Sequence, residues 1–477
     1  MMCMERITLH DASHIFNQNM NIKTQNRRFV VIGGVAAGMS AASAVKRDDP
    51  TMEVIVLEKG EFISYGACSL PYYISGVIQD YQQLIALTPE QARQARDIDV
   101  WLKHEAMAIY PEQNTVAVLD RETGEEKALN YDDLMIATGG TPIAPPIPGI
   151  DLPNIFQVRT LRDGIEIKRY IVDHAPKKAV IVGGGYIGLE MAETCKVLGM
   201  DVTILEKLGN IMGTMGAEIT ELIEQELQDQ AIRLVKDIDI DSFEVVAGKC
   251  GYILAEGGKQ RFDTDIVIIA VGVCPEVALA KGAGIEIGET GAIAVDRYVR
   301  TSIENIYAGG DCTEVTHLVS NQKVYLPLGT TANKQGRIAG RNIVNPACCE
   351  FKGVVGTAVT KVCHLEVART GLSLMEAKRL GFNTATATIT ADSRVKAYPG
   401  SQPITITLIL DKTSKRLLGA EMAGKDGVAK RIDIFAAALH NQMTVQALAQ
   451  LDLSYAPPFA PVWDPVLVAA NAGIKKV

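Results

Sequence analysis

Two stretches of the chain share one order of apolar and small residues, in which a β-branched run, a glycine cluster and a small-residue helix follow one another. They are FVVIGGVAAGMSAAS from Phe29 and AVIVGGGYIGLEMAE from Ala179. Each leads to a second apolar run that ends in glutamate, at Glu58 and at Glu206. Strand, glycine turn, helix and strand in this order predict a βαβ unit that binds a dinucleotide. The repetition predicts two such units.

Breaks in this pattern predict the domain organisation. The proline-rich stretch at 141–149 interrupts it, and DIVIIAVG at 265–272 closes the second unit. Alternating strands such as ITITLIL at 404–410, followed by a helix at 431–442, predict a third domain of α+β type. The expected fold class is α/β, with two Rossmann-like dinucleotide-binding domains and a C-terminal α+β domain. The predicted limits are 1–28 for a disordered leader, 29–145 and 273–345 for the two parts of the first nucleotide domain, 146–272 for the second, and 346–477 for the C-terminal domain.

Composition narrows the classes of partner. The 477 residues are enough for several cores, and a net charge of -9 argues against nucleic acid or an anionic membrane as partner. The nine cysteines include no C-x-x-C and no zinc-type spacing, which is typical of a reduced intracellular protein without a structural metal. The leader lacks the apolar run of a signal peptide, and Met20 is a candidate translation start. We therefore expect a cytoplasmic protein with no metal site.

The second glycine cluster has the complete G-x-G-x-x-G spacing. Its first glycine permits a tight turn, the second lets the backbone approach a pyrophosphate, and the third lets helix and strand pack closely. Glu206 suits a free ribose 2′-hydroxyl better than a 2′-phosphate, because two anions repel each other, so NADH is favoured over NADPH. The residues expected to contact this nucleotide are Gly183, Gly185, Tyr186, Ile187, Gly188, Glu206 and Gly272.

The first glycine cluster carries Val35 where the middle glycine usually stands. Together with ATGG at 137–140 and YAGGDC at 307–312, the pair of units resembles the pyridine nucleotide-disulfide oxidoreductase superfamily. The resemblance implies that the first unit binds FAD, that Asp311 holds the ribityl chain and that Glu58 binds the adenosine ribose. The residues implied in FAD binding are Gly33, Gly34, Ala37, Gly38, Glu58, Ala137, Thr138, Gly139, Gly310 and Asp311.

Cys68 is the candidate redox residue, because it lies ten residues after Glu58, where the chain returns from the second strand of the first unit. A helix starting near Pro71 would place its positive end near the sulfur and stabilise a thiolate. Dithiol members of the superfamily carry a second cysteine where Tyr73 stands, so an internal disulfide is excluded at this site. The oxidised forms open to a single thiol are a mixed disulfide, a persulfide and a sulfenic acid. We interpret the other eight cysteines as small buried hydrophobes.

These features narrow the resemblance to the single-cysteine branch, which contains coenzyme A disulfide reductases, NADH-dependent persulfide or polysulfide reductases, and NADH oxidases and peroxidases. It runs from about Phe29 to the C-terminus and is carried by SYGACSLPYYISG, PLGTTANKQGRIAGRNI, KRIDIFAAALHNQMTV and SYAPPFAPVWDPVLVAA. The branch implies an enzyme that passes electrons from NADH through FAD to a disulfide, persulfide or polysulfide on Cys68. Ala36 stands where oxidases and peroxidases typically have a histidine, which favours thiol chemistry. The alternatives are an NADH oxidase or peroxidase that uses a sulfenic acid, a reductase of a protein electron carrier, and a flavin-binding sensor without catalytic activity.

The substrate is expected to be a small molecule, or sulfur delivered by another protein, since no rhodanese-like extension follows the third domain. Coenzyme A disulfide reductases often carry an arginine where Ala44 stands, so the candidate substrate-binding residues are the nearby Lys46 and Arg47, together with Ser64.

A tyrosine is the candidate proton donor, because the His–Glu pair of glutathione reductase relatives is missing. Tyr455 is followed by Pro457 and Pro458, which hold the local backbone extended. The resemblance implies a homodimer built by the C-terminal domain, in which Tyr455 faces the flavin of the partner. Tyr398 is a second candidate.

Overall fold

The computed structural model describes residues 27–477. Arg27 and Arg28 belong to the folded part, so the predicted end of the leader at residue 28 is wrong. The physical reason is a pair of ion pairs, from Arg27 Nε to Asp133 at 2.7 Å and from Arg28 Nε to Glu53 at 2.8 Å. The rest of the predicted leader, residues 1–26, lies outside the described residues.

The helices and strands follow in chain order. In residues 27–142 they are β1 (Arg28–Ile32), α1 (Ala36–Asp48), β2 (Glu53–Glu58), α2 (Leu70–Ile74), α3 (Pro89–Arg96), β3 (Asp99–Leu102), β4 (His104–Tyr110), β5 (Thr115–Asp120), β6 (Glu126–Asn130), β7 (Asp133–Ile136) and β8 (Gly140–Pro142), with short 3₁₀ helices at Ala67–Ser69, Tyr81–Leu84 and Pro111–Gln113. In residues 155–275 they are β9 (Ile155–Gln157), α4 (Leu161–His174), β10 (Lys178–Val182), α5 (Tyr186–Val197), β11 (Asp201–Leu205), α6 (Ala217–Asp229), β12 (Arg233–Val235), β13 (Ile240–Val246), β14 (Lys249–Ala255), β15 (Gln260–Asp263), β16 (Ile266–Ile269) and β17 (Val273–Pro275).

In residues 278–344 they are α7 (Ala278–Gly282), β18 (Ile306–Ala308), β19 (Val315–Thr316), β20 (Lys323–Val324) and α8 (Gly329–Val344). The C-terminal part contains β21 (Ala358–Val362), β22 (Leu365–Gly371), α9 (Leu374–Arg379), β23 (Thr384–Asp392), β24 (Pro403–Asp411), β25 (Leu417–Gly424), α10 (Val428–His440), α11 (Val445–Leu448) and α12 (Pro465–Ile474).

Each nucleotide unit is built on a five-stranded parallel sheet. The strand orders are β18-β7-β1-β2-β3 and β12-β11-β10-β16-β9. Strands β1 and β10 are buried over most of their length, as expected for central strands of parallel sheets, and this is why both read as continuous apolar runs. The sequence-based prediction of two Rossmann-like domains is confirmed.

Helix α8 returns the chain to the first nucleotide domain by packing against α1. Added Cβ atoms at Gly336 and Gly340 would collide with the carbonyl oxygens of Ala37 and Ala41. The two helices therefore approach each other at a distance that only glycine permits.

The chain passes between the two nucleotide domains twice, and the two passages lie side by side. Strand β8 leads out of the first domain and pairs with β17, which leads back, in an antiparallel ladder of three residue pairs. The expected linkers near residues 146 and 273 fall next to this ladder, and the exact domain limits stay predictions.

The C-terminal domain is an antiparallel sheet with the strand order β21-β22-β25-β24-β23. Helices α10 and α12 cover it, and their buried Phe435 and Val466 belong to the same core as Ile406 and Leu408 of β24. The predicted α+β character is confirmed. Within residues 27–477, none of the helices combines the length and apolar character that a membrane crossing requires.

Candidate active site

The first glycine turn closes directly onto Glu58. Gly33 has φ +104°, and an added Cβ at Gly38 would collide with the carbonyl oxygen of Gly33. Glu58 accepts hydrogen bonds from the amides of Gly34 and Gly60 at 2.8 and 2.7 Å. The carboxylate expected to bind a ribose is therefore held next to the turn expected to bind a pyrophosphate.

The second glycine turn repeats this geometry. Gly183 has φ +107°, and Glu206 accepts from the amides of Gly184 and Leu208 at 2.6 and 2.8 Å. Open space surrounds the Cα of Gly185, where an added Cβ would meet no atom within 4 Å. Both turns fit a dinucleotide: each has a glycine at positive φ, a helix N-terminus and an anchored carboxylate.

Cys68 lies in the 3₁₀ turn that runs directly into α2. Two helices of the second nucleotide domain hold this segment. Thr194 of α5 donates to the carbonyl oxygen of Pro71 at 3.1 Å, and Lys168 of α4 donates to that of Tyr73 at 2.8 Å. The thiol is thus placed where the two nucleotide domains meet.

The pKa of Cys68 is shifted in the direction opposite to our expectation. The residue is exposed, yet protein packed around its sulfur raises the pKa of the thiol. The carboxylates of Glu190 and Asp311 raise that pKa further, and the guanidinium of Arg159 opposes them. Helix α2 is only five residues long, so its dipole is too weak to outweigh burial and two carboxylates.

Glu190 joins the site to the C-terminal domain, and sequence reasoning missed it. It lies on α5 and accepts from the hydroxyl of Thr360 in β21 at 2.9 Å; burial raises the pKa of Glu190. One turn further along α5, Glu193 accepts from the amide of Cys363 at 2.9 Å and pairs with Lys361. A glutamate within the apolar run YIGLEMA was the available signal.

Tyr72 also belongs to this group, one helical turn after Cys68. Burial raises the pKa of Tyr72, and the carboxylates of Glu190 and Glu193 raise it further. The phenol therefore stays protonated and can donate a hydrogen bond near the sulfur.

Asp311 is paired with an arginine from the other nucleotide domain, which sequence reasoning also missed. Arg159 Nη2 lies 2.9 Å from Asp311 Oδ2. Next to them, the hydroxyl of Tyr325 is buried without a hydrogen-bond partner, and burial followed by the charge of Asp311 raises its pKa. Added Cβ atoms on Gly139 and Gly140 would lie 3.2 and 3.1 Å from Arg159 and Tyr325, respectively.

The remaining residues predicted for the nucleotide sites lie close to these groups. Ala137 borders the first glycine turn, because an added Cβ on Gly33 would collide with its carbonyl oxygen. Thr138 donates to the carbonyl oxygen of Glu276 at 2.7 Å. Gly310 has φ +86° just before Asp311, and Gly272 has φ +117° where the second domain ends.

The predicted role of Lys46 in substrate binding is wrong. Its ammonium is buried and donates to the carbonyl oxygens of Pro50 and Met52 at 2.8 and 2.9 Å and to Asp97 at 2.7 Å. All N–H donors of the Lys46 ammonium are therefore used to hold the loop after α1 in place.

The roles of Arg47 and Ser64 in substrate binding stay predictions. Arg47 is exposed in the last turn of α1, at the end opposite the glycine turn. Ser64 has φ +47°, and its amide donates to Gly34 at 2.9 Å, so its backbone lies next to the first glycine turn.

Tyr455 and Tyr398 are both exposed on the C-terminal domain. Tyr455 shares an apolar surface segment with Phe459, Val462 and Trp463, which are 79%, 64% and 63% exposed. Within the described single chain, neither tyrosine forms a hydrogen bond with Cys68.

The interpretation of the other cysteines is partly wrong. Cys195, Cys250, Cys312 and Cys363 are buried as expected, and Cys3 lies outside the described residues. Cys274 and Cys348 are exposed and Cys349 is half-buried, because all three lie in the short segments that connect domains or follow a helix.

Comparison with known proteins decides the family. The model of the pyridine nucleotide-disulphide oxidoreductases matches residues 27–336, and the model of their dimerisation domain matches residues 357–465. The chain belongs to the pyridine nucleotide-disulphide oxidoreductase family. Members are FAD-dependent oxidoreductases that use NAD(P)H, and the geometry of both glycine turns agrees with this.

Three similar proteins bear on the chemistry. An NAD(P)H sulfur oxidoreductase (CoA-dependent) from Pyrococcus furiosus is 39% identical over 94% of this chain and 99% of its own length. An NADH oxidase from Methanocaldococcus jannaschii is 35% identical over 94% of this chain and 99% of its own. The solved structure of a NAD-dependent persulfide reductase from A. fulgidus superposes with a TM-score of 0.90 at 38% identity, covering 94% of this chain and 83% of that one.

Proposed function

We propose that this family member is an FAD-dependent NADH oxidoreductase that reduces a low-molecular-weight disulfide, persulfide or polysulfide through Cys68. The observation that carries the proposal is the position of this one thiol. It lies between the two nucleotide-binding domains, close enough to Glu190 of one and Asp311 of the other for both charges to act on it. Tyr73 stands where a second thiol would be needed for an internal disulfide.

Different residues of the chain bind the nucleotides and carry out the sulfur chemistry. The glycine turns and their anchored carboxylates, Glu58 and Glu206, bind the two nucleotides, and bound FAD supplies a two-electron carrier between nicotinamide and sulfur. The Cys68 thiolate attacks the substrate RSSR, forms the mixed disulfide and releases RS⁻, which takes up a proton to become the first thiol. Two electrons and a proton then cleave that mixed disulfide, so that NADH, H⁺ and RSSR give NAD⁺ and two RSH.

Protonation of the leaving sulfur requires a donor, and we assign it to Tyr455 of the partner subunit in a homodimer, with Tyr398 as the second candidate. The dimerisation-domain match and the exposed apolar segment around Tyr455 support this assignment. Burial of Phe459 and Trp463 in such an interface would remove a large apolar area from water.

NADH is the proposed electron donor. The two amides that bind Glu206 hold its carboxylate in the position expected for the ribose, where a 2′-phosphate would meet a fixed negative charge. The neighbouring Lys207 forms an ion pair with Asp239 at 2.8 Å, so its ammonium is not directed at the carboxylate of Glu206.

A second candidate function is an NADH oxidase that cycles Cys68 through a sulfenic acid. The similar NADH oxidase from M. jannaschii favours it. Anaerobic turnover separates the two candidates, because a disulfide or persulfide reductase works without oxygen.

The deciding experiment measures anaerobic NADH oxidation with coenzyme A disulfide and with glutathione persulfide. Cys68→Ser should abolish both activities while FAD content and reduction of an artificial dye are retained, since hydride transfer to the flavin does not need the thiol. Cys274→Ser, which removes another exposed thiol, is the matched control and should keep full activity. Disulfide or persulfide turnover by Cys68→Ser would refute the proposal.

A further inference from the structure

A pair of sulfur atoms lies away from the single thiol of Cys68, in the loop after α8. Cys348 and Cys349 are neighbours in the chain, and their Sγ atoms are only 3.5 Å apart. Cys348 is exposed and Cys349 is half-buried. Both sulfurs therefore lie on the same side of the backbone and can be reached from solvent.

Hydrogen bonds from the neighbouring residues hold the two cysteines in this arrangement. The buried side chain of Asn342 accepts from the amide of Cys349 at 3.0 Å and donates to its carbonyl oxygen at 2.8 Å. The thiol of Cys348 points to the carbonyl oxygen of Arg341 at 3.6 Å, and Ala347 before it has φ +59°. A turn held at both ends presents the two thiols as a preformed pair.

The distance between the sulfurs matches that of a two-thiolate chelate. Two bonds of about 2.3 Å, the usual length of a zinc–thiolate bond, span 3.5 Å when they meet at about 100°. The pair thus already has the spacing of a two-thiolate chelate.

The species bound by this pair must be one that needs only two donor atoms from the protein. Across residues 27–477, no group of three or more His, Cys, Asp or Glu side chains is arranged to hold a metal ion, which argues against zinc and its four ligands. Soft ions of low coordination number prefer thiolates. We propose that Cys348 and Cys349 form a second thiol site that chelates a soft electrophile taking two thiolates at an acute angle, the class of trivalent organoarsenicals.

The step is balanced for an arsenical probe. Phenylarsine oxide loses its oxygen as water, the two thiol protons go into that water, and two arsenic–sulfur bonds form without any change of oxidation state. Burial raises the pKa of Cys348, and its contact with Cys349 raises that pKa further, so the thiol proton of Cys348 is present to be released at neutral pH.

The test uses full-length, FAD-loaded protein that carries Cys68→Ser, so that the redox thiol cannot react. Phenylarsine oxide should add once per chain, and digestion should place the bridge on the tryptic peptide 342–352, which contains both cysteines. Adding Cys348→Ser or Cys349→Ser should weaken binding by roughly 100-fold or more, because the second bond is then lost. Adding Cys274→Ser, an exposed single thiol, should leave it unchanged.

Dye reduction by NADH reports that each variant is folded. The proposal is overturned if the folded parent takes up no arsenical, if the bridge maps to another peptide, or if binding survives both substitutions. Because Cys68 is absent throughout, none of these results depends on the reductase activity.

Discussion

Arg431 donates from Nε to both carboxylate oxygens of Asp464, at 3.2 and 2.9 Å, and both residues are buried. The same guanidinium also donates to the carbonyl oxygens of Ser393 and Phe459, at 2.8 and 3.3 Å. One side chain therefore ties the segment that leads to Tyr398 to the segment that follows Tyr455.

Replacing this arginine should loosen both tyrosine segments. Arg431→Met is expected to lower the free energy of unfolding by about 3 to 5 kcal/mol, because Asp464 is left buried without its partner. Disulfide turnover should fall as well, whereas dye reduction should be retained. The measurements are denaturant unfolding and steady-state kinetics. The exposed neighbour Lys430→Met should change stability by less than about 0.5 kcal/mol, and equal losses for the two variants would contradict the assignment.

The charges around Cys68 should control how its reactivity depends on pH. Carboxylates raise the pKa of this thiol and Arg159 lowers it, so Glu190→Gln should shift the pKa down and Arg159→Met should shift it up. Since alkylation by iodoacetamide follows the thiolate, its rate profile should move to lower pH in the first variant and to higher pH in the second. Glu112→Gln, on an exposed turn, is the control. Shifts in the same direction for both variants would show that charge is not the cause.

Glu206 should set the preference between nicotinamide cofactors. The wild-type enzyme is expected to favour NADH by about 1 to 3 kcal/mol, roughly 5- to 150-fold in kcat/KM, and Glu206→Gln should narrow this ratio. Lys207→Met should have little effect, because that side chain pairs with Asp239. Equal efficiency of the wild-type enzyme with NADH and NADPH would rule out this role.

Tyr455→Phe should slow disulfide turnover and leave FAD content and dye reduction intact. If the tyrosine serves the partner subunit, mixing inactive Cys68→Ser with Tyr455→Phe subunits should give heterodimers that contain one intact site. Partial recovery of activity is the expected result. If subunits exchange and no activity returns, the site is not shared, and Tyr72→Phe then tests the phenol that follows Cys68 by one turn in the same chain.

The parts of the site that could be predicted from sequence are those fixed by local spacing. Gly33, Gly183 and their carboxylates, Glu58 and Glu206, belong to single βαβ units, in which the turn, the helix start and the second strand determine one another. The five-stranded sheets follow from the same repeats.

The parts that were missed depend on contacts between distant segments. Arg159 reaches Asp311 across 152 positions of the chain, and Glu190 meets Thr360 across 170. No local pattern encodes such pairs. Lys46 shows the converse error. Its closeness to Ala44, where relatives often carry an arginine, suggested a role in substrate binding, whereas the loop that follows the helix turns back and surrounds its ammonium.

The ladder between β8 and β17 makes the nicotinamide-binding part of the chain an insertion whose two ends meet. Cys274 lies opposite Thr141 in that ladder, so the chain departs and returns through the same few ångströms of space. A graft between relatives would then need only two cuts, one in each of these strands. A chimaera made in this way would exchange Glu206 together with Lys168 and Thr194, so the hydrogen bonds that hold the Cys68 segment would be exchanged along with the nucleotide turn.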